Sequence, residues 1–407
     1  MKRSDLSNLN IRLKSLAIFR ALLDDPVISA LCGFLDCVES APAEQAVSRY
    51  ASFLSRLYCC GSDSLAAHIQ KITADSENAF IRLVGSGKTP SPEMTACLNE
   101  ELNILQSVAD LTPQTLRQGL DWDGFLPAFP PVQLDIPSYY RARIRDIGKL
   151  GYGIYAQYRM FFLNPKGVIV PVRHPDSVTL ASLVDYRREQ QIILDNTQAL
   201  LDGKPAANIL LTGDAGTGKS STVKAVVNEL YGKGLRILEV RKEQLHQIPE
   251  ILDALNTNPL KFILFIDDLS FQRDDDNFSA LKAILEGSVS AKSQNVVIYS
   301  TSNRRHLVKE SFSDREGDDI HRNDTMQEII SLSERFGIQI TFQRPDKKTY
   351  LDIVHHLARE RGLTLSSEEL DAGAERFVLG RGGRSARAAS QYVDSLTASA
   401  KGPKQSE

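Results

Sequence analysis

Gly213-Asp214-Ala215-Gly216-Thr217-Gly218-Lys219-Ser220 decides how this chain is read. The octapeptide fits G-x-x-x-x-G-K-[ST], whose glycines let successive backbone N–H groups curl round a phosphate with no Cβ in the way. Lys219 is placed to neutralise the outer phosphates and the Ser220 hydroxyl to hold Mg²⁺. The helix opened there, with Ser221 in its first turn, aims its positive end at the same anion. Gly213, Asp214, Ala215, Gly216, Thr217, Gly218, Lys219, Ser220 and Ser221 are therefore expected to bind nucleotide. A chance glycine-rich turn would lack flanking structure. Here Ile209-Leu210-Leu211 supplies a strand before it and Ser221–Tyr231 a helical pattern after it.

Downstream, Phe262-Ile263-Leu264-Phe265-Ile266 is a continuous apolar run ending in Asp267-Asp268. A strand buried on both faces delivers its terminal acids to the end of a parallel sheet where ligands bind. Asp267 is the expected Mg²⁺ ligand, and Asp268 the group that orients or deprotonates the attacking water. Aspartate there is one methylene shorter than glutamate, which alters the reach to water. The next strand, Val296–Ser300, runs into Thr301-Ser302-Asn303, and the Asn303 amide is placed to contact a γ-phosphate or the water. Arg304 and Arg305 follow it and serve either the site or a partner. Arg335, in Glu334-Arg335-Phe336-Gly337, reads as a surface arginine or as one that reaches a neighbouring subunit's nucleotide.

Around these motifs the chain alternates strand and helix patterns. Strands are expected at Asn208–Leu211, Arg236–Val240, Phe262–Ile266, Val296–Ser300 and Ile338–Phe342. Helices are expected at Ser220–Tyr231, Gln244–Leu255, Phe278–Glu286 and Thr325–Phe336. That alternation predicts an α/β fold with a parallel sheet covered on both faces. After Pro345 three helical patterns follow, giving a core over 179–345, a helical lid over 346–400 and a flexible tail over 401–407. Residues 1–125 read as a mostly helical domain. Residues 126–178 read as a linker or junction, its boundary straddled by the proline-rich Asp121–Pro137 stretch. Tyr139–Tyr158 is aromatic and basic, with Tyr139, Tyr140, Tyr152, Tyr155 and Tyr158 around Arg141, Arg143 and Arg145. Such a pattern can stack on bases, though it more often packs a domain junction. Trp122 reads as a domain anchor.

Composition narrows the classes further. With 48 basic and 51 acidic residues the chain carries no overall basic signature for nucleic acid. The balance holds by segment too, with 18 of each sign in residues 1–178. Cys32, Cys37, Cys59, Cys60 and Cys97 include no C-x-x-C pair and are odd in number, so buried reduced thiols are expected rather than a zinc cage or disulfide framework. No apolar run spans a membrane and charges interrupt any signal-peptide core, so a cytoplasmic protein without membrane contact is expected. Ser311–Asp324 holds five acids without the spacing of a calcium loop and reads as a solvated partner-contact loop. His355 and His356 read as packing or surface residues of a lid helix.

As a set, these motifs resemble the AAA+ ATPases. Gly213–Ser220 is similar to Walker A and Phe262–Asp268 to Walker B, with an Asp-Asp ending like that of bacterial replication initiators. Asn303 matches the first sensor, and Arg335 resembles the arginine finger of Holliday-junction motors. Arg387, in Gly382-Gly383-Arg384-Ser385-Ala386-Arg387, resembles the lid arginine that binds nucleotide, with Arg384 as the other possibility. Leu183, Val184 and Tyr186 match the wall beside adenine. More closely, Glu239-Val240-Arg241-Lys242, Phe265–Phe271 and Ser300–Leu307 resemble a bacterial family of AAA+ ATPases of unknown function. The resemblance implies a five-stranded parallel sheet, a helical lid, ATP with Mg²⁺, and a homo-oligomer. The function expected is ATP hydrolysis that drives remodelling or loading of a protein or DNA partner. The alternatives are an ATP-gated binding switch with little turnover and a DNA-associated loader.

Overall fold

The computed structural model describes residues 3–38, 40–269, 276–286, 294–303, 334–380 and 383–400. Arg304, Arg305, the Ser311–Asp324 loop, Gly382, the tail over 401–407 and most of the Thr325–Phe336 segment lie outside the described residues. Two compact units divide the chain: Met1–Gln157 with Thr257–Pro259, and Tyr158–Asn256 with Leu260–Glu407.

The first unit is helical, with Pro26–Leu35, Ala43–Cys59, Leu65–Asp75 and Pro92–Ala109 among its longer elements. Their apolar stripes meet in one core in which Phe34, Tyr50, Phe53 and Phe129 pack edge to face in sequence. Asp25 caps the first of these helices, accepting from the N–H groups of Val27 and Ile28, and holds buried His68 at 2.9 Å. Glu101 is 4% exposed and accepts from the backbone N–H groups of Ala17, Ile18 and Phe19 at 2.7–3.0 Å. Residues 121–135 form no helix or strand. They are tied down instead, Tyr50 donating to the carbonyl of Pro127 at 2.9 Å.

Two expectations change here. Trp122 is 46% exposed in a turn, its indole donating to the Phe125 carbonyl, so it anchors no core. Cys32 and Cys37 are buried but Cys59 and Cys60 are exposed, and all five thiols are unbridged. The aromatic–arginine stretch is mostly spoken for. Tyr140 and Tyr152 are buried in the helical core, Asn78 donates to the Tyr140 hydroxyl, and Arg143 donates to the Gly151 carbonyl. Tyr139 is the tyrosine of residues 139–152 that is exposed.

The second unit is built on a seven-stranded sheet. Its strands are β1 (Met160–Leu163), β2 (Ile169–Pro171), β3 (Ile209–Gly213), β4 (Leu235–Glu239), β5 (Lys261–Ile266), β6 (Val296–Ser302) and β7 (Ile338–Phe342). The order is β2-β1-β4-β5-β6-β3-β7, with only the β1–β2 pair antiparallel. The five expected strands are β3 to β7. The sheet has two more, added beyond β4 by a hairpin through Asn164-Pro165-Lys166-Gly167, whose side chain and carbonyl at Asn164 close the turn.

Phe262–Ile266 in β5 is wholly buried, as a central strand covered on both faces must be. Beside it Tyr299 of β6 points into the layer between sheet and helix Arg187–Leu201, where its hydroxyl meets Thr197 Oγ1 at 2.8 Å and accepts from Asn196 at 3.0 Å. Beyond β7 the helices Lys347–Glu360, Ser367–Leu379 and Ala386–Ala400 pack around Tyr350, Val354, Ala374, Ala389 and Val393. Asp346 caps the first, and Ser366 with Glu369 forms a reciprocal cap on the second. Among the described residues no helix is long and apolar enough to cross a membrane.

Candidate nucleotide-binding site

Strand order brings the motifs together. β3 lies between β6 and β7, and β5 lies on the other side of β6, so the loops after β3, β5 and β6 open at one end of the sheet. They line a cleft of about 920 Å³ together with residues 176–179 and 182–186 and the lid positions Ile353, Leu357, Arg361 and Arg387.

The loop after β3 has the backbone a phosphate cradle needs. Gly213 has φ +141°, and a Cβ there would stand 2.1 Å from the Phe342 carbonyl oxygen. Gly216 and Gly218 take φ +81° and +95°, a region that side chains disfavour. Thr217 Oγ1 donates to the Asp214 carbonyl at 2.9 Å and holds the turn. The Lys219–Leu230 helix starts directly behind it.

Lys219 is 5% exposed and its Nζ donates to the carbonyls of Gly213 and Asp214, both at 2.8 Å, and to Asn303 Oδ1 at 3.0 Å. Burial pulls its pKa below the ordinary lysine value, against the opposing pull of Asp267, Asp214 and Asp268 and with a small push from Arg387. Asn303 turns its Nδ2 to Asp268 Oδ1 at 2.6 Å, so one amide bridges lysine and aspartate. Ser220 Oγ donates to Asp267 Oδ1 at 2.6 Å. The positions expected to hold metal, Ser220 and Asp267, thus present hard oxygen donors side by side, a set that suits Mg²⁺.

Three contributions were not visible in the sequence. Thr301, 2% exposed, donates from Oγ1 to Asp267 Oδ1 at 2.5 Å and accepts from the Asp268 N–H at 2.9 Å. Asp268 sits at φ +53°, one of two non-glycine residues in the left-handed region among the described residues. Arg344, just past β7, pairs its Nε with Asp214 at 3.0 Å. Register is the missing signal for Thr301: Ile266 pairs with Ser300, so the next residues, Asp267 and Thr301, fall beside each other.

The lid closes the cleft on the other side. The Arg387 N–H donates to the Gly216 carbonyl at 3.2 Å, and its Cβ lies 3.0 Å from where a Gly216 Cβ would be. Arg384 is engaged elsewhere, in a bidentate pair with Glu375 at 2.9 and 2.7 Å within the lid. Leu183, Val184 and Tyr186 line the cleft, with the Tyr186 ring 4.8 Å from that of Phe342 and its hydroxyl donating to the Gln343 carbonyl. His355 pairs with Asp371 at 2.7 Å on the lid.

Arg335 stands apart. It is half-buried and precedes β7, whose Ile338 pairs with Ile209 at the start of β3 and whose Phe342 pairs with Gly213. Parallel strands rise about 3.3 Å per residue. Arg335 therefore lies at the far end of the sheet from the phosphate loop of its own chain.

Comparison with known proteins follows this geometry. The family model described as "Protein of unknown function (DUF815)" matches residues 156–400. No curated protein matches the sequence. Among solved structures the chain is similar to the Thermotoga maritima RuvB Holliday junction branch migration motor, at 16% identity and TM-score 0.37 over 53% of this chain and 63% of that one. It thus spans less than two thirds of that protein's length. Trip13 in the E. coli MS115-1 HORMA:CdnC:Trip13 complex gives 13% identity and TM-score 0.36 over 53% of this chain and 90% of that chain. With more than half its residues inside that family model, the chain belongs to the DUF815 family of unknown function.

Proposed function

We propose that the second unit binds ATP with Mg²⁺ and hydrolyses it to remodel or load a macromolecular partner. The observation that carries this reading is the unbroken chain of contacts from Lys219 through Asn303 to Asp268, beside the Ser220–Asp267 oxygen pair, at the mouth of one cleft.

In this reading the backbone N–H groups of Gly213–Ser221 and the Lys219 ammonium bind the phosphates. When bound at Ser220 and Asp267, Mg²⁺ draws charge from the phosphate oxygens. Asp268 takes the proton of the attacking water and Asn303 orients that water or the γ-phosphate. Arg387 senses the phosphates from the lid, since Glu375 already holds Arg384. Leu183, Val184 and Tyr186 wall the base. Arg335 completes the site of a second copy, which makes the working form a homo-oligomer. Within the chain, 179–345 acts as the catalytic core and 346–400 as its lid, while the residues ahead of them recruit the partner. A protein partner is favoured over DNA because Tyr140 and Tyr152, two of the tyrosines in the stretch that suggested base stacking, are buried.

The test is steady-state ATP hydrolysis by the full chain against protein concentration. A specific rate that climbs with concentration and vanishes in Asp268→Asn, with nucleotide still bound, supports a shared-site ATPase. Tight ATP binding with no turnover in the wild type at any concentration replaces it with the nucleotide-gated switch.

A further inference from the structure

We infer that Thr301 is a positioning residue that sets the two aspartates of the cleft in register, a role that rests on the ATP-hydrolysis reading. The argument begins with the backbone. Asp268 at φ +53° is in a conformation that costs a non-glycine residue free energy, and aspartate tolerates it better than most. Such outliers persist where surrounding contacts over-determine them.

Three contacts do so here. The Asp268 N–H is fixed at 2.9 Å on Thr301 Oγ1, and the carboxylate is fixed at 2.6 Å by Asn303. The Leu269 N–H is held at 2.7 Å on the Thr301 carbonyl, so the chain is pinned to β6 on both sides of the Asp268 peptide. The same Thr301 hydroxyl spends its one proton on Asp267 Oδ1, the oxygen that also accepts from Ser220. A hydroxyl has one donor and two acceptor sites, so both bonds form at once and in only this sense.

The consequence is specific to an aspartate at position 268. Its side chain is short, and the left-handed backbone is what carries its carboxylate to Asn303. The group that fixes this backbone is also bonded to the metal-side aspartate. Thr301 thus couples the placement of metal to the placement of the acid that serves water. Because its hydroxyl bonds to Asp267 and Asp268 and not to the Gly213–Ser220 loop, its loss leaves the phosphate cradle intact.

The experiment uses the full chain as wild type, Thr301→Val and Thr301→Ser, with a fluorescent ATP analogue as probe in Mg²⁺ or in EDTA. Turnover is measured beside it. Valine keeps the shape and loses both bonds, whereas serine keeps the hydroxyl. The valine variant is expected to bind in EDTA within about two-fold of wild type, to lose the gain in affinity that Mg²⁺ confers, and to lower kcat by roughly 10- to 100-fold. Serine is expected to restore most of both. Thr301→Ala carries the same test should valine not fold. Valine indistinguishable from wild type, serine as impaired as valine, or a loss as large in EDTA as in Mg²⁺ each overturns the inference. Failure of the ATP reading is distinguished beforehand, because it shows as wild type that binds no nucleotide.

Discussion

Replacing Lys219 by methionine should move protein stability and nucleotide affinity differently, and pH separates them. Methionine keeps an apolar stem in the 5% exposed slot and deletes an ammonium bonded to the Gly213 and Asp214 carbonyls and to Asn303. One charge-assisted hydrogen bond to a phosphate is worth about 1.5–3 kcal/mol, so affinity for ATP should fall by at least roughly ten-fold. Wild type should carry a second signature. Burial, ahead of the opposing acids, sets the folded pKa of Lys219 below the ordinary value of 10.5. Between those two values the unfolded chain binds more protons than the folded one. This group therefore adds stability as pH rises through that window and withholds it below. Affinity for a polyphosphate runs the other way, because it uses the charged form, falling by up to about ten-fold per pH unit above the folded pKa. Thermal unfolding and fluorescence titration with an ATP analogue, run from neutral to alkaline pH on both proteins, measure the two slopes. Their difference between wild type and Lys219→Met isolates this residue from tyrosines and thiols that titrate nearby. A methionine variant that binds ATP like wild type at neutral pH refutes the assignment. An alkaline loss of affinity that survives in the variant refutes the linkage.

Other perturbations test separate parts of the molecule. Gly213→Ala, with its Cβ 2.1 Å from the Phe342 oxygen at φ +141°, should force β3 and β7 apart and cost on the order of 3 kcal/mol in urea unfolding; wild-type stability would contradict the close approach. Glu101→Ala leaves three backbone N–H groups of 17–19 without their acceptor and should cost about 3 kcal/mol or more, with Glu101→Gln recovering part of it in the same denaturant series. At Asp25 burial pushes the carboxyl up, but the His68 bond and the Ile28 and Val27 N–H groups outweigh it and leave the pKa below 3.8. The stability it supplies is complete above 3.8 and lost as pH falls through the folded value, so Asp25→Ala should flatten the acid limb of the stability curve and cost about 1 kcal/mol at neutral pH. Arg335→Ala should abolish any rise of specific ATPase rate with protein concentration while sparing nucleotide affinity; an unchanged rise shows that Arg335 serves no neighbouring site.

Local patterns carried most of the fold. The five runs from Asn208 to Phe342 form the strands expected of them because each is short, apolar and bounded by turn residues, and a buried parallel strand needs nothing more specific. The hairpin of β1 and β2 has the same kind of signal in Met160–Leu163 and Ile169–Pro171 around Asn164–Gly167. It was obscured by the aromatic and basic residues just ahead of it, which read as one segment with it. Within the site, Lys219, Ser220, Asp267, Asp268 and Asn303 are legible because their chemistry attaches to loops at strand ends. Thr301 and Arg344 are not, since each acts through a pairing across the sheet or past its edge that only register supplies. The choice between Arg384 and Arg387 also waits on a contact between elements, the Glu375 carboxylate on the preceding lid helix.

How these side chains satisfy one another bears on how the site would turn over. Lys219 spends its three donors on two carbonyls and on Asn303, Asn303 spends its other end on Asp268, and Asp267 accepts from both Ser220 and Thr301. Each of the five groups that reads as chemical is therefore already hydrogen-bonded, which is what a polar cluster between sheet and cleft requires. A triphosphate entering this cleft makes no bond for free. It competes with Asn303 for Lys219, replacing an ammonium–amide bond by an ammonium–phosphate bond in which both partners are charged, so the exchange favours the nucleotide. Once that trade is made, the Asn303 oxygen is released from the lysine, and its amide is the one group still holding Asp268 Oδ1. On the proposed reading, nucleotide entry would reach the acid that serves water through the Asn303 side chain, which bonds both Lys219 and Asp268. The backbone of Asp268 takes no part in the trade because Thr301 holds it from β6. The moving piece is one amide, and the fixed piece is one hydroxyl.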